Sequence, residues 1–187
     1  MNSRAQLSHV AFLVSSVQKA AELPTGLDLT VGPAEKWEGE GTLEIYVGED
    51  SFTSRLLLME AVKDGAYQRA LKKRGPGLHH IAVDVLNLEE YIGNLSGSGW
   101  FLHPKSLETI KHTKTAYLAR PGMPTMIEVQ ERDTLSEKPS FISLFELPFT
   151  EVQMKLIDTL GIAELKRSHD KNYWLTCADQ RFLANEL

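Results

Sequence analysis

A four-residue phrase occurs twice in this chain, and that repetition constrains the fold more than any other feature. His9-Val10-Ala11-Phe12 is echoed by His80-Ile81-Ala82-Val83. Each copy lies in a run of apolar and β-branched residues, Ser8 to Val14 and Gly77 to Val85. Each run leads into a helix-like segment, Val17 to Leu23 in the first case and Leu88 to Ile92 in the second. Such a succession predicts a strand followed by a helix. Side chains alternate faces along a strand, so His80, Ala82 and Asp84 point one way and Ile81, Val83 and Val85 the other. The second trio is uniformly apolar and is expected to pack on the helix. That leaves His80 on the open face beside a small alanine. By the same alternation His79 falls on the helix-packed side or in the strand's frayed start, and a structural role is expected for it.

From each repeated strand the same order of elements follows. Leu23-Pro24-Thr25-Gly26 ends the first helix, and residues 27–40 read as weak strand and loop. Residues 43–47 and 55–61 read as paired strands joined by the turn Gly48-Glu49-Asp50-Ser51. A connecting helix over 62–74 ends in Lys72-Lys73-Arg74, which suits a helix C-terminus. In the second unit the helix over 88–96 stops at Gly97-Ser98-Gly99. A strand follows near Trp100-Phe101-Leu102, then a loop, then a hairpin of 113–119 and 125–130 across Arg120-Pro121-Gly122. Each unit reads β-α-β-β-β.

After the polar linker from Glu131 to Pro139 comes a strand, Phe141 to Phe145, and a helix from Thr150 to its stop glycine, Gly161. Strands at 163–166 and 173–176 follow, with 181–184 as a further candidate. This reads as a truncated third copy, βαββ, in which Phe141 stands where the first two carry histidine. The expected fold class is α+β: tandem βαβββ modules over residues 1–132, then a partial third module over 133–187. The third module is expected to pack on the first domain or on a partner subunit. An unfinished unit leaves an unpaired sheet edge, so a homodimer formed through this region is also expected; a monomer across a wide concentration range would exclude it.

The chain's 187 residues, 42% hydrophobic and 24% charged, suffice for a sizeable core. A formal net charge of −5 gives no basis for binding nucleic acid or acidic membranes. No apolar run approaches the roughly 20 residues that a membrane helix needs, and the N-terminus lacks a signal-peptide core. The single cysteine, Cys177, cannot form an internal disulfide and fits a reducing compartment; in a late strand it reads as a small apolar residue rather than a nucleophile. A cytoplasmic protein with a small-molecule substrate is the expectation.

Glu128 alternates onto a face with Met126 and Gln130, while Ile127 and Val129 point the other way. An acidic residue in an apolar strand costs free energy unless something pairs with it. Two histidines and a carboxylate on separate strands can cap one face of a metal and leave its other positions open. Hydrogen-bonded sheet histidines beside a solvated glutamate are the plainer alternative.

These motifs carry a resemblance. Leu7-Ser8-His9-Val10-Ala11-Phe12, Gly77-Leu78-His79-His80-Ile81-Ala82 and Thr125-Met126-Ile127-Glu128-Val129-Gln130, within residues 7–131, resemble the vicinal oxygen chelate superfamily. That superfamily includes glyoxalase I, methylmalonyl-CoA epimerase, extradiol dioxygenases and bleomycin-resistance proteins, and the middle motif looks most like the epimerases. The resemblance implies a cup-shaped mixed sheet holding one divalent metal (Zn, Ni, Co or Fe) on His9, His80 and Glu128. A fourth ligand in such proteins falls near Leu57, or on Glu60 if the register slips by one. For an epimerase-type proton transfer next to a chelated carbonyl, Glu128 and either Glu40 or Glu38 are the candidate carboxylates. Glu35, Glu38, Glu40 and Glu44 crowd that region and are expected to be mostly solvated.

Two other functions share this expected shape. A non-haem iron(II) extradiol-type dioxygenase uses three protein ligands, with Tyr117 or His112 as the acid–base candidates here. A metal-free cup, as in the drug-binding members, needs none. Asp84 is expected to line the cup or to pair with an arginine. His103 is read as a chance match to an epimerase phrase, and His112 and His169 as surface residues.

Overall fold

The computed structural model describes residues 4–187. Strand β1 (Ala5–Val14) leads into two short helices, α1 (Val17–Ala20) and α2 (Glu22–Gly26). Strands β2 (Glu35–Trp37), β3 (Thr42–Val47) and β4 (Arg55–Ala61) complete the first module. Helix α3 (Ala66–Arg74) connects it to β5 (Gly77–Val85), α4 (Leu88–Asn94), β6 (Phe101–Leu102), α5 (Ser106–Thr113), β7 (Thr115–Ala119) and β8 (Met126–Glu131). Helix α5 occupies the stretch expected to be a loop. Side-chain bonds tie it to β7: Ser106 Oγ donates to the Tyr117 carbonyl and Thr109 Oγ1 to that of Thr115. Among the described residues no helix is long and apolar enough to cross a membrane.

The eight strands form one sheet in the order β2-β3-β4-β1-β5-β8-β7-β6. β1 runs parallel to β4 and β5 parallel to β8, while β1 and β5 meet antiparallel at the centre, with Val10 opposite Ile81. The two modules are thus related by an approximate twofold axis through that seam. His9 and His80 are 71 residues apart, and the same offset relates the details of both modules. Ser16 caps α1 and Asn87 caps α4, each accepting a backbone N–H three residues on. Glu60 Oε2 accepts from Val17 N and Glu131 Oε2 from Leu88 N, both at 3.0 Å. In each module, then, a glutamate at the end of the last strand satisfies an orphan N–H at a helix N-terminus.

The seam carries two bulges that obey the same symmetry. Leu7 pairs with Val83 and His9 with Ala82, which leaves Ser8 extra; Ala11 pairs with His80 and Phe12 with Leu78, which leaves His79 extra. An inserted residue resets the alternation locally, so adjacent residues can share a face.

One face of the sheet, with Leu7, Val10, Phe12, Ile81, Val83 and Ile127, is the core. On it sits the C-terminal unit: β9 (Ile142–Leu147), α6 (Glu151–Asp158), β10 (Leu165–Arg167), β11 (Trp174–Cys177) and β12 (Gln180–Leu183). The third β-α-β succession forms, and the candidate strand at 181–184 is present as β12. Its pairing, β10-β9-β11-β12 in a sheet of its own, differs from the first two modules because β9 lies between its successors. Phe12 of β1 meets Phe145 and Tyr173 edge-on at 6.1 and 6.2 Å between ring centroids. Tyr91 donates to the Leu160 carbonyl, and Trp100 Nε1 to that of Leu156. Phe141, at the histidine position, is buried against Gly48, where a Cβ would meet its ring at 2.8 Å. The opposite face of the large sheet is the cup, with α3 lying across one end through Tyr67, Ala70 and Leu71.

Candidate metal centre

His9 stands opposite Ala82, and Ala82 opposite Glu128, so three adjacent strands place the two functional side chains in one row with a methyl group between them. His80 lies two residues along β5 on the same face. The His9 and His80 Nε2 atoms are 3.0 Å apart. Glu128 Oε2 lies 3.3 Å from His80 Nε2 and 4.0 Å from His9 Nε2. All three residues are at least nine-tenths buried. Among the described residues this is the group of donors that could hold a metal ion.

The donor set fits such an ion. Imidazole nitrogens bind zinc at about 2.0–2.1 Å, so two of them 3.0 Å apart can reach one ion at close to a right angle. Burial, reinforced by Arg55 and Arg132 nearby, holds the His9 imidazole down to about 3, and burial also pushes His80 well below its usual value. Both rings are therefore neutral, the form that offers a lone pair. Burial pushes Glu128 up, offset by Gln130 Nε2, which donates to its Oε1 at 2.7 Å and leaves Oε2 turned to the imidazoles.

His79 belongs to this centre, contrary to the expectation from simple alternation. The bulge turns it onto the cup face, where its Nδ1 lies 2.9 Å from Nδ1 of His80 and its ring packs on Tyr67 at 5.0 Å. With His80 donating from Nδ1, its Nε2 lone pair faces the cluster; such outer partners fix the tautomer of a ligating histidine. His79→Phe keeps the ring packing and removes the acceptor. Its metal affinity, measured by competition with a chelating dye, is expected to fall about 10–100-fold, and an unchanged affinity would exclude the orienting role.

At an offset of 71 residues the two modules align position by position. Leu57 is the equivalent of Glu128, and it faces the cup in an apolar cluster with Ala11, Leu13 and Met59. Glu60, proposed above as a metal ligand, is the equivalent of Glu131 and is engaged with Val17 N at the start of α1, outside the donor cluster.

A cavity of ≈ 430 Å³ opens over the cluster. Glu40 reaches its rim, accepting from the Tyr67 hydroxyl and lying 3.8 Å from Lys105 Nζ. Glu38 does not reach it: it is exposed and paired at 2.7 Å with Lys36, whose ammonium holds its carboxyl down. Glu44, expected to be solvated, is instead buried in the cup wall. It accepts from Thr42 Oγ1 at 2.7 Å, and burial pushes its carboxyl up. The signal for it was present, since Glu44 and Tyr46 alternate with the core residues Ile45 and Val47.

His103 also lines the cavity, its backbone N–H donating to the Tyr117 carbonyl at 2.7 Å. Tyr117 stands opposite Glu128 across β7 and β8, and burial raises its hydroxyl. Asp84 accepts from Arg132 Nε at 2.9 Å. His112 and His169 are on the surface. Cys177 is buried, its thiol pushed up to about 12 by that burial, which makes it a poor nucleophile.

No protein-family model matches the sequence, and no curated protein matches it significantly. Solved structures do match in shape. The hypothetical protein BH1468 from Bacillus halodurans C-125 superposes with a TM-score of 0.58 and 22% identity, over 72% of this chain and 99% of that one. A Streptomyces coelicolor methylmalonyl-CoA epimerase variant in complex with 2-nitronate-propionyl-CoA gives 0.53 and 19%, over 73% and 99%. The Mycobacterium tuberculosis methylmalonyl-CoA epimerase gives 0.50 and 20%, over 67% and 86%. The paired modules, their antiparallel seam and these superpositions together show that the chain shares its fold with the methylmalonyl-CoA epimerases.

Proposed function

We propose that this chain is a divalent-metal enzyme that moves a proton next to a carbonyl of a small substrate bearing neighbouring oxygens. The observation that carries the reading is the convergence of His9, His80 and Glu128 from three strands, with no fourth His, Cys, Asp or Glu donor among the described residues, at the floor of a cavity wide enough for a ligand. A divalent ion there supplies Lewis acidity toward the substrate's oxygens. Glu44 is the carboxylate suited to take the proton. Its burial raises its basicity toward the working range, and the Thr42 hydroxyl occupies Oε1 and leaves Oε2 free for the cup. Glu128 faces it from the other wall and serves as ligand and second carboxylate. Glu40 at the rim takes the more distant role of positioning Tyr67. Acyl-coenzyme A compounds, of the class held by the similar Streptomyces coelicolor structure, are the first substrates to assay.

A second reading has its own support. Leu57 in place of a fourth donor leaves the 2-His-1-carboxylate set that iron(II) oxygenases use, and Tyr117, beside Glu128, would be its acid–base group.

Elemental analysis of protein purified without chelators tests both. About one equivalent of metal is expected in the wild type, lost in His80→Ala and Glu128→Ala and retained in Glu60→Gln. Zinc, nickel or cobalt would favour proton transfer, and iron with oxygen uptake on a catechol the dioxygenase. Wild-type protein that takes up none of these ions on soaking would overturn both readings and leave a metal-free binding cup.

A further inference from the structure

The approximate twofold axis makes each end of the cup a control for the other. At one end Leu13 and Met59 face inward beneath α3, and Met126 stands beside His80. At the same offset of 71 residues, the opposite end carries Asp84, Gln130 and Arg55. Leu13, Met59 and Met126 thus each have a polar or charged counterpart at the other end. Among the described residues no helix covers that second end, because the chain leaving β8 runs past Gln6, which pairs with Ser136, toward the C-terminal unit on the far face. The result is a polar cavity of ≈ 370 Å³ that shares His9 with the metal centre.

Two guanidinium groups line it, each held in place. Arg55 lies 4.1 Å over the ring of Tyr46, and Arg132 is fixed by Asp84. An arginine carries five N–H donors in a fixed fork, so both retain donors beyond these contacts. Asp84 is matched by Arg132. Asp50, which accepts from Arg55 at 2.7 Å, is 92% exposed on its turn, so an incoming anion competes for Arg55 only with a water-screened partner. The Thr53 side chain completes the lining.

We propose that this open end of the cup is a subsite for an anionic group of the substrate, a carboxylate or a phosphate, gripped by Arg55 together with Arg132. Planar, bidentate recognition of such oxyanions is what a fixed guanidinium provides. The other end of the same substrate then lies over His9, His80 and Glu128. That placement rests on the metal-enzyme reading, whereas anion binding itself needs no metal.

The first arm of the test uses the full chain without metal, titrated with succinate and separately with inorganic phosphate while backbone amide resonances are followed. Saturable shifts centred on Thr53 and Arg55 are expected, and the anion that saturates at lower concentration names the group. The affinity should fall at least tenfold in Arg55→Met, which installs the residue of the covered end, and in Arg132→Met, but not in Arg74→Met. Absence of saturable shifts, or shifts unchanged in both Arg55→Met and Arg132→Met, would overturn the subsite whatever the metal result.

The second arm uses zinc-loaded protein. 2-Oxoglutarate should bind at least tenfold tighter than 2-oxopentanoate, which offers the same neighbouring oxygens without the distal carboxylate, and Arg55→Met should remove that preference. Equal affinities in the wild type would overturn the placement of the anion beside the metal. Failure to take up zinc at all would remove the metal reading alone and leave the first arm to decide the subsite.

Discussion

Replacing Leu57 with glutamate is expected to make the stability of this protein depend on a metal ion. His9 and His80 exchange under the twofold axis, so a point bound equally by both lies on that axis. Position 57 is then placed toward it as Glu128 is. Leu57 is 3% exposed among Ala11, Leu13 and Met59 under α3. Without an ion, a carboxylate there has no partner, and leaving it buried costs about 2–4 kcal/mol. For a chain of this size that corresponds to roughly 4–16 °C in melting temperature. With an ion it becomes a fourth donor, and ligand held at a hundred times its dissociation constant returns about 2.7 kcal/mol. Thermal unfolding with chelator and with zinc reads both effects. The zinc-induced rise should be clearly larger in Leu57→Glu than in the wild type; equal rises would mean that position 57 does not reach the centre.

The second large effect is expected on the opposite face. Phe12 is 1% exposed and joins the seam to the C-terminal unit through Phe145 and Tyr173. Phe12→Ala removes the ring from a site walled by two sheets that cannot both close in, and about 3–5 kcal/mol should be lost. Because the ring is one of the contacts that join the two sheets, limited proteolysis should also cut first in the linker after Glu131. A loss under about 1 kcal/mol with unchanged cleavage would show that the two sheets hold together without this contact.

Much of the donor set was legible in the sequence because a strand's period of two is rigid. The repeated phrase placed His9 and His80 on one face, and Glu128 between Ile127 and Val129 could point only the other way. The 71-residue offset, readable from the chain itself, maps Leu57 onto Glu128 and Glu60 onto Glu131. Periodicity failed at His79, because a bulge depends on the partner strand and leaves no mark in the local pattern. Glu44 was missed among four nearby glutamates because composition suggested solvent, although its alternation with Ile45 and Val47 pointed inward. His103 reaches the cavity through a contact with β7 that no local rule anticipates. The same holds for the C-terminal unit, whose β-α-β order is readable while the insertion of β9 between β10 and β11 is set by long-range pairing.

The two bulges at Ser8 and His79 have a mechanical consequence. They interrupt the seam on both sides of Val10 and Ile81, so a short stretch of regular ladder, His9 to Ala11 against His80 to Ala82, holds both histidines, and the pairing resumes beyond each bulge. The spacing of His9 and His80 is thus set by the ladder of that stretch, and the bulges pass the change of face outward to Ser8 and His79.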